Sequence, residues 1–484
     1  MKKFFYLGSL WLALALSLLT GCSDNPENIN PNAPLNAGNL NLVFVVSPDL
    51  TYQTPGDINP NTANLTPQGL NRSLLLATYL KNQVLGGENV NAIYALSPMT
   101  HLQTANDYPD MAAIGFIQQF ALLNRDQRPL DKVGNTYTAN SFPIHAAYTP
   151  ATVPNGVAVP ATFCTVCQGI DFKNTDANTQ LVSGIIAKKT PGFHVFSAPW
   201  ETIRALLVNI NQQQGYALDL PTSFMGSNHV YAISITASGN ANLVTYNSQL
   251  NPATSYPDLP LPVERAACTH LLQPSFKTSR IGGINGAVIP PNINKNQTVY
   301  IVRHAEAHPD ANFVFENGNF VAAGQWRALD LGKSLNDKLV PAPNVVYSID
   351  PAQSIASFGI SYVRPSLTVL PYAIANKLPY KLASSFSLLV SPATAAESAR
   401  QFFFNGGQFS NQVMLLGWES QRINPFLNAL LDSYGGTEKE RTWPGNDYDT
   451  IWTVRIDSVG NLTVENDLCE GIDSTKLPEM APLF

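Results

Sequence analysis

At 484 residues the chain is longer than one hydrophobic core usually allows, so two domains are expected. With 13% charged and 45% hydrophobic residues, 36 Pro and 31 Gly, it is a loop-rich globular protein, and general disorder is excluded. A formal net charge of −6 gives no electrostatic ground for nucleic-acid binding, so any anion site has to be built locally.

In chain order, Lys2-Lys3 precede an apolar run from Phe4 to Leu19, closed by Leu19-Thr20-Gly21-Cys22. The run is too short for a mature spanning helix and resembles a bacterial lipoprotein signal with its lipobox. That resemblance implies a signal peptide over 1–21 and Cys22 as the lipidated new N-terminus, an anchor in the membrane. Ser23, in place of Asp at the next position, directs such lipoproteins to the outer membrane. Residues 22–39 are Asn/Pro-rich and apolar-poor, as a tether is. An exported chain meets conditions in which disulfides persist. Cys164, Cys167, Cys268 and Cys469 allow three full pairings, among which the sequence does not choose. The C-x-x-C of 164–167 has no second pair at metal-ligand spacing and reads as a disulfide or loop clip.

From Leu40 one order of signals is followed twice. A strand at 40–49 answers one at 297–306. Gly69-x-x-Arg72 opens a helix, as does Gly324-x-x-Arg327. Strands follow at 92–98 and 345–351, each with Tyr four residues before Pro. HVFSAPWETIRALLVNI (194–210) then parallels VMLLGWESQRINPFLNAL (413–430), sharing Trp-Glu-(Thr/Ser)-x-Arg. Both copies close with strands, 229–247 and 448–466, turned at Gly239-Asn240 and Gly460-Asn461. The alternation predicts an α/β sandwich with a largely parallel sheet in each copy, over 40–250 and 296–484, joined by a connection over 251–295. Residues 120–190 form an insertion in the first copy.

The chemistry gathers at Thr298–Pro309, TVYIVRHAEAHP, where a β-prone run ends in Arg303-His304 with Glu306 just beyond. Arg offers a planar, permanently charged fork for phosphate oxygens, and neutral His is a nucleophile able to form a covalent intermediate. In parallel sheets the site lies at the carboxyl ends of the strands, where Trp418-Glu419-Ser420 also falls.

Val302-Arg303-His304-Ala305-Glu306, then Gly324-x-x-Arg327-Ala328, then Arg364-x-x-x-Thr368, resemble the histidine phosphatase superfamily, the phosphoglycerate-mutase-like fold, over 296–466; residues 40–247 resemble it in architecture only. The resemblance implies two tandem three-layer α/β/α domains with mostly parallel sheets, and neither metal nor cofactor. It implies His304 as the nucleophile that becomes phosphorylated, Arg303 and Arg364 as the clamp on a phosphate anion or phosphorylated small molecule, and Glu306 or Glu397 as proton donor. The chain departs from the pattern Trp-Glu-His-x-His-Ile with Trp418-Glu419-Ser420-Gln421-Arg422-Ile423. Ser420 takes the place of the pocket His as a hydrogen-bond donor to phosphate, and Arg422, turned inward, restores a charge. Loss of one charged donor from a preorganised site costs about 2.7 to 4 kcal/mol. The first copy has Ser47-Pro48 at the Arg-His position, Thr100-His101 near the second Arg and Thr202 at the second His, and is expected to be a non-catalytic partner without a phosphate pocket. The expected function is a membrane-anchored phosphomonoesterase acting through phosphohistidine. The alternatives are an inactive pseudo-phosphatase serving as a binding or structural module of the envelope, and a pocket that only binds phosphorylated ligands. Specificity is assigned to the insertions 307–323 and 376–411.

Overall fold

The computed structural model describes residues 33–484 except 106, 131–134, 148–168, 269–271, 308–316, 353, 356–359, 384–390, 437–438 and 440–441. The signal, Cys22, Cys164, Cys167 and parts of both assigned specificity insertions lie outside the described residues. No helix among the described residues is long and apolar enough to cross a membrane.

Strand β1 (Leu40–Val46) is buried at every position, as a central strand covered on both faces requires. Helix α1 (Pro67–Tyr79) follows, capped by the Thr66 hydroxyl with Pro67 at its start. Then come β2 (Ala92–Ala95), α2 (Ala112–Leu122), β3 (Ile144–His145), α3 (Thr175–Lys188), β4 (Gly192–Ala198), α4 (Trp200–Gln214), β5 (His229–Ile235) and β6 (Ala241–Asn247). These strands form one sheet in the order β6-β5-β1-β4-β2-β3.

The second half begins with β7 (Lys277–Arg280) and continues β8 (Gln297–Arg303), α5 (Ala322–Ser334), β9 (Val345–Ile349), α6 (Arg364–Ala375), β10 (Tyr380–Ala383), α7 (Pro392–Phe404), β11 (Val413–Trp418), α8 (Ser420–Ser433), β12 (Thr450–Ile456) and β13 (Leu462–Cys469). Its sheet runs β7-β13-β12-β8-β11-β9-β10, the order of the first with one edge strand added. In both sheets the strands from the centre out to one edge, β1-β4-β2-β3 and β8-β11-β9-β10, are parallel, and the closing hairpin on the other side is antiparallel. The expected connection is also more than a linker. Lys277–Arg280 pairs with β13, and Cys268 is bonded to Cys469 at that strand's end.

Apolar side chains beneath α3 and α4 fill one face of the first sheet, and those beneath α7 and α8 fill one face of the second. A third cluster is shared: Leu70, Leu74, Phe116 and Ile117 from α1 and α2 belong to the same buried group as Trp326, Leu367 and Leu370 from α5 and α6. Polar groups caught in this layer pair with one another, as burial demands. Gln118 exchanges two hydrogen bonds with Asn319, at 2.8 and 3.0 Å, and Gln325 donates to Gln119 at 3.0 Å.

Strand register corrects two equivalences expected between the halves. Val46 lies opposite Ala198 where Arg303 lies opposite Trp418. The next amide confirms the alignment, since Ser47 N donates to Ala198 O at 3.0 Å and His304 N to Trp418 O at 2.9 Å. Ser47, and not Pro48, therefore stands at the place of His304. The two Trp-Glu pairs are displaced by the same register, because Trp418 ends a strand while Trp200 opens a helix. Trp200, and not Thr202, is the counterpart of Ser420.

Candidate functional site

Strand β8 carries Arg303 as its last residue and His304 as the next, so guanidinium and imidazole emerge together at the carboxyl edge of the second sheet. Neighbouring β11 ends beside them in Trp418, followed by Glu419 and the first turn of α8. Arg364 opens α6, and Thr368 ties this helix to the strand end: its hydroxyl accepts from Ala305 N and donates to Arg364 O, both at 2.8 Å. The spacing Arg364-x-x-x-Thr368 is thus a latch between two elements, one helical turn long.

His304 is 1% exposed. Its Nδ1 lies 2.8 Å from Ala305 O, and a carbonyl only accepts, so Nδ1 carries a proton; in the neutral ring that places the lone pair on Nε2. Two tyrosines flank the ring. Tyr362 meets it edge-on at 6.2 Å between centroids and Tyr448 lies at 6.1 Å. Each tyrosine also carries one of the arginines. Arg303 lies over Tyr448 with Cζ 3.9 Å from the centroid, and Arg364 over Tyr362 at 4.7 Å. Burial pushes the Tyr362 hydroxyl up in pKa, more than neighbouring Arg364 pulls it down, so the phenol stays neutral.

Both guanidinium groups are buried, Arg303 at 3% and Arg364 at 5% exposure. One nitrogen of Arg303, Nη1, donates to Gly445 O and Asp447 O at 2.8 Å each, which fixes the plane of the group. Its Nε is buried without a protein partner. A desolvated cation with a spare donor suits an anion.

The two expected proton donors are each paired with an arginine. Glu306 joins a buried ion-pair network through one oxygen: its Oε1 accepts from Arg327 Nε at 2.8 Å and from Ser474 Oγ at 2.7 Å, while Oε2 is buried with no hydrogen-bond partner. Arg327 is fully buried and also meets Glu470 at 2.5 Å and Asp449 at 3.5 Å. Burial opposes the charge on Arg327, but the surrounding carboxylates outweigh it and raise its pKa, so it remains a cation. Gly324 lets α5 approach: an added Cβ would sit 2.9 Å from Glu306 O. Glu397 is half-exposed on α7 and is held by Arg400 at 2.6 Å and Gln401 at 2.7 Å, a surface pair within one helix.

Ser420 and Arg422 both lie on the first turn of α8. Ser420 Oγ donates to Glu419 Oε1 at 3.3 Å, and Glu419 caps the helix by accepting from Gln421 N at 2.9 Å. Arg422 is half-buried, and its amide donates to Glu419 O at 2.9 Å. Sequence reasoning missed Tyr362, Tyr448 and the acids around Arg327. Tyr362 had a local signal two residues before Arg364, whereas Tyr448, Asp449 and Glu470 reach their places only through the antiparallel hairpin.

No family model matches the sequence. No curated protein matches it either. Among solved structures, a mycobacterial glucosyl-3-phosphoglycerate phosphatase aligns at 12% identity and TM-score 0.23, over 34% of this chain and 93% of its own. A structure from Agrobacterium tumefaciens assigned as a phosphohistidine phosphatase aligns at 17% identity and TM-score 0.20, over 33% and 91%. A chain named mycobacterial hydrolase 1 aligns at 11% identity and TM-score 0.22, over 33% and 92%. Each likeness spans about a third of this chain, so the functional reading rests on this chain's own residues.

Proposed function

We propose that the second half binds a phosphomonoester between Arg303 and Arg364 and transfers its phosphoryl group to Nε2 of His304, from which water releases phosphate. Nε2 attacks phosphorus and the bond from phosphorus to the ester oxygen breaks, the leaving oxygen taking its proton from solvent water; water then attacks the phosphohistidine, giving up a proton to solvent, and inorganic phosphate departs as the imidazole is restored. The two guanidinium groups act on the charge that develops on the transferring oxygens. The observation that carries this reading is the placement of a buried imidazole, with its proton fixed on Nδ1, between two tyrosines that each carry a buried arginine.

A second reading is favoured by Ser420. The residue at the head of α8 is a hydroxyl bonded to Glu419, which brings no positive charge, so the pocket binds phosphate without turnover. Hydrolysis of an aryl phosphate by the full-length chain in detergent, compared with His304→Ala, separates the two. Phosphomonoesterase chemistry predicts loss of activity in the variant, and equal rates would leave only the binding module.

We further propose an exported, lipid-anchored protein held at the outer membrane through Cys22; the support is the sequence of residues 1–23. The strand order that the two sheets share over six strands supports an internal duplication whose first copy, with Ser47 in place of His304, has lost the nucleophile.

A further inference from the structure

The first sheet presents a different chemistry at the corresponding edge. Asp49, two residues beyond Ser47, is 3% exposed, and Asp110, just before α2, is fully buried. His101 lies between them, its ring stacked on Phe172 at 3.8 Å between centroids and 7° between planes. Each carboxylate spends one oxygen on backbone amides. Oδ1 of Asp49 accepts from Thr51 N at 2.8 Å, and Oδ1 of Asp110 from Ala112 N at 3.0 Å. The other oxygens converge on the imidazole: Nε2 of His101 is 2.7 Å from Asp49 Oδ2 and 3.9 Å from Asp110 Oδ2. Asp110 Oδ2 is buried and has no hydrogen-bond partner. All three ligand atoms lie within 4.8 Å of one another, the one such group found among the described residues.

We propose that Asp49, His101 and Asp110 form a mononuclear site for a divalent transition-metal ion of the zinc or manganese type. One nitrogen and two carboxylate oxygens are the donor set such ions take. Bonds of about 2.0 to 2.2 Å to a tetrahedral ion put neighbouring ligand atoms about 3.3 to 3.6 Å apart. The observed 2.7 and 3.9 Å bracket that spacing, so small side-chain shifts admit the ion. The carboxylates are preorganised, since their outer oxygens are already tied to the backbone, and the ring is held by Phe172. His101 keeps 17% of its side chain exposed, which leaves a solvent side for a water ligand. The two halves thus offer opposite edges, one that accepts a cation and one that accepts an anion.

The test uses the full-length chain in detergent, stripped with EDTA and dialysed against micromolar Zn2+ or, in a parallel arm, Mn2+. Bound metal per chain is measured by elemental mass spectrometry. The expected result is one equivalent of either ion, retained when Cys164 and Cys167 are both changed to Ser, and bound about tenfold or more weakly by Asp110→Asn and by His101→Gln. His101→Gln decides the matter if Asp110→Asn does not fold, as judged by circular dichroism. The proposal is overturned if neither ion binds stoichiometrically, or if binding disappears in the double cysteine variant and persists in His101→Gln.

Discussion

Replacing Arg364 with Ala tests the proposed anion pocket. Arg364 Cζ and the His304 ring lie 4.7 and 6.2 Å from the centroid of Tyr362, so they are at most about 11 Å apart. At that outer limit, with an effective dielectric near 20, one unit charge interacts with the guanidinium by about 1.5 kcal/mol, and a phosphate dianion by about 3 kcal/mol. A loss of about 3 kcal/mol is roughly a hundredfold in rate. Arg364→Ala is therefore expected to lower kcat/KM for an aryl phosphate about a hundredfold. Arg364→Lys should fall between, because it keeps the charge and loses the fork. The assay is initial-rate hydrolysis, with thermal unfolding as a control, since Thr368 still latches α6 to Ala305 in both variants. Rates within threefold of wild type in a folded Arg364→Ala protein would show that this guanidinium does not act on the phosphoryl group.

Other outcomes test the remaining assignments. Arg327→Met strands the Glu306 carboxylate in the interior and removes a hydrogen-bond partner of Glu470, and should cost about 3 to 5 kcal/mol of stability, measured by urea unfolding. Glu397→Gln should change activity less than twofold, because the side chain belongs to a half-exposed pair with Arg400. Burial pushes Glu470 up to about 8, against the pull of Arg327. A carboxyl whose folded pKa lies above its unfolded value holds its proton more firmly in the folded state, so its contribution is present at low pH and is lost as pH rises towards 8. Unfolding free energy should accordingly fall between about pH 5 and 8, and Glu470→Gln should flatten that slope.

The sequence revealed those parts of the site that depend on where strands end. Arg303 and His304 close a β-prone run, and in a parallel sheet that alone sends them to the carboxyl edge beside Trp418. Glu306 shows the limit of such reasoning. Its nearness in the chain suggested a proton donor, yet a fully buried Arg327 demands carboxylates, and the turn after His304 supplies this one. The shared Trp-Glu pairs misled by two residues because a tryptophan fits both a strand end and a helix start; only backbone pairing separates the two. Strand β7 went unread since Lys-Thr-Ser-Arg has no apolar alternation, and as an edge strand it needs none. The tyrosine that carries Arg303 was illegible for a related reason: Tyr448 is brought to it by a hairpin far along the chain.

Phosphoryl transfer through His304 is tested most directly by trapping the intermediate. The full-length protein, mixed with a phosphomonoester labelled in its phosphoryl group and quenched in alkali, should carry up to one acid-labile, alkali-stable phosphate per chain, located on His304 and absent from His304→Ala. Label that is missing under turnover conditions, or that persists in the His304→Ala protein, would contradict it.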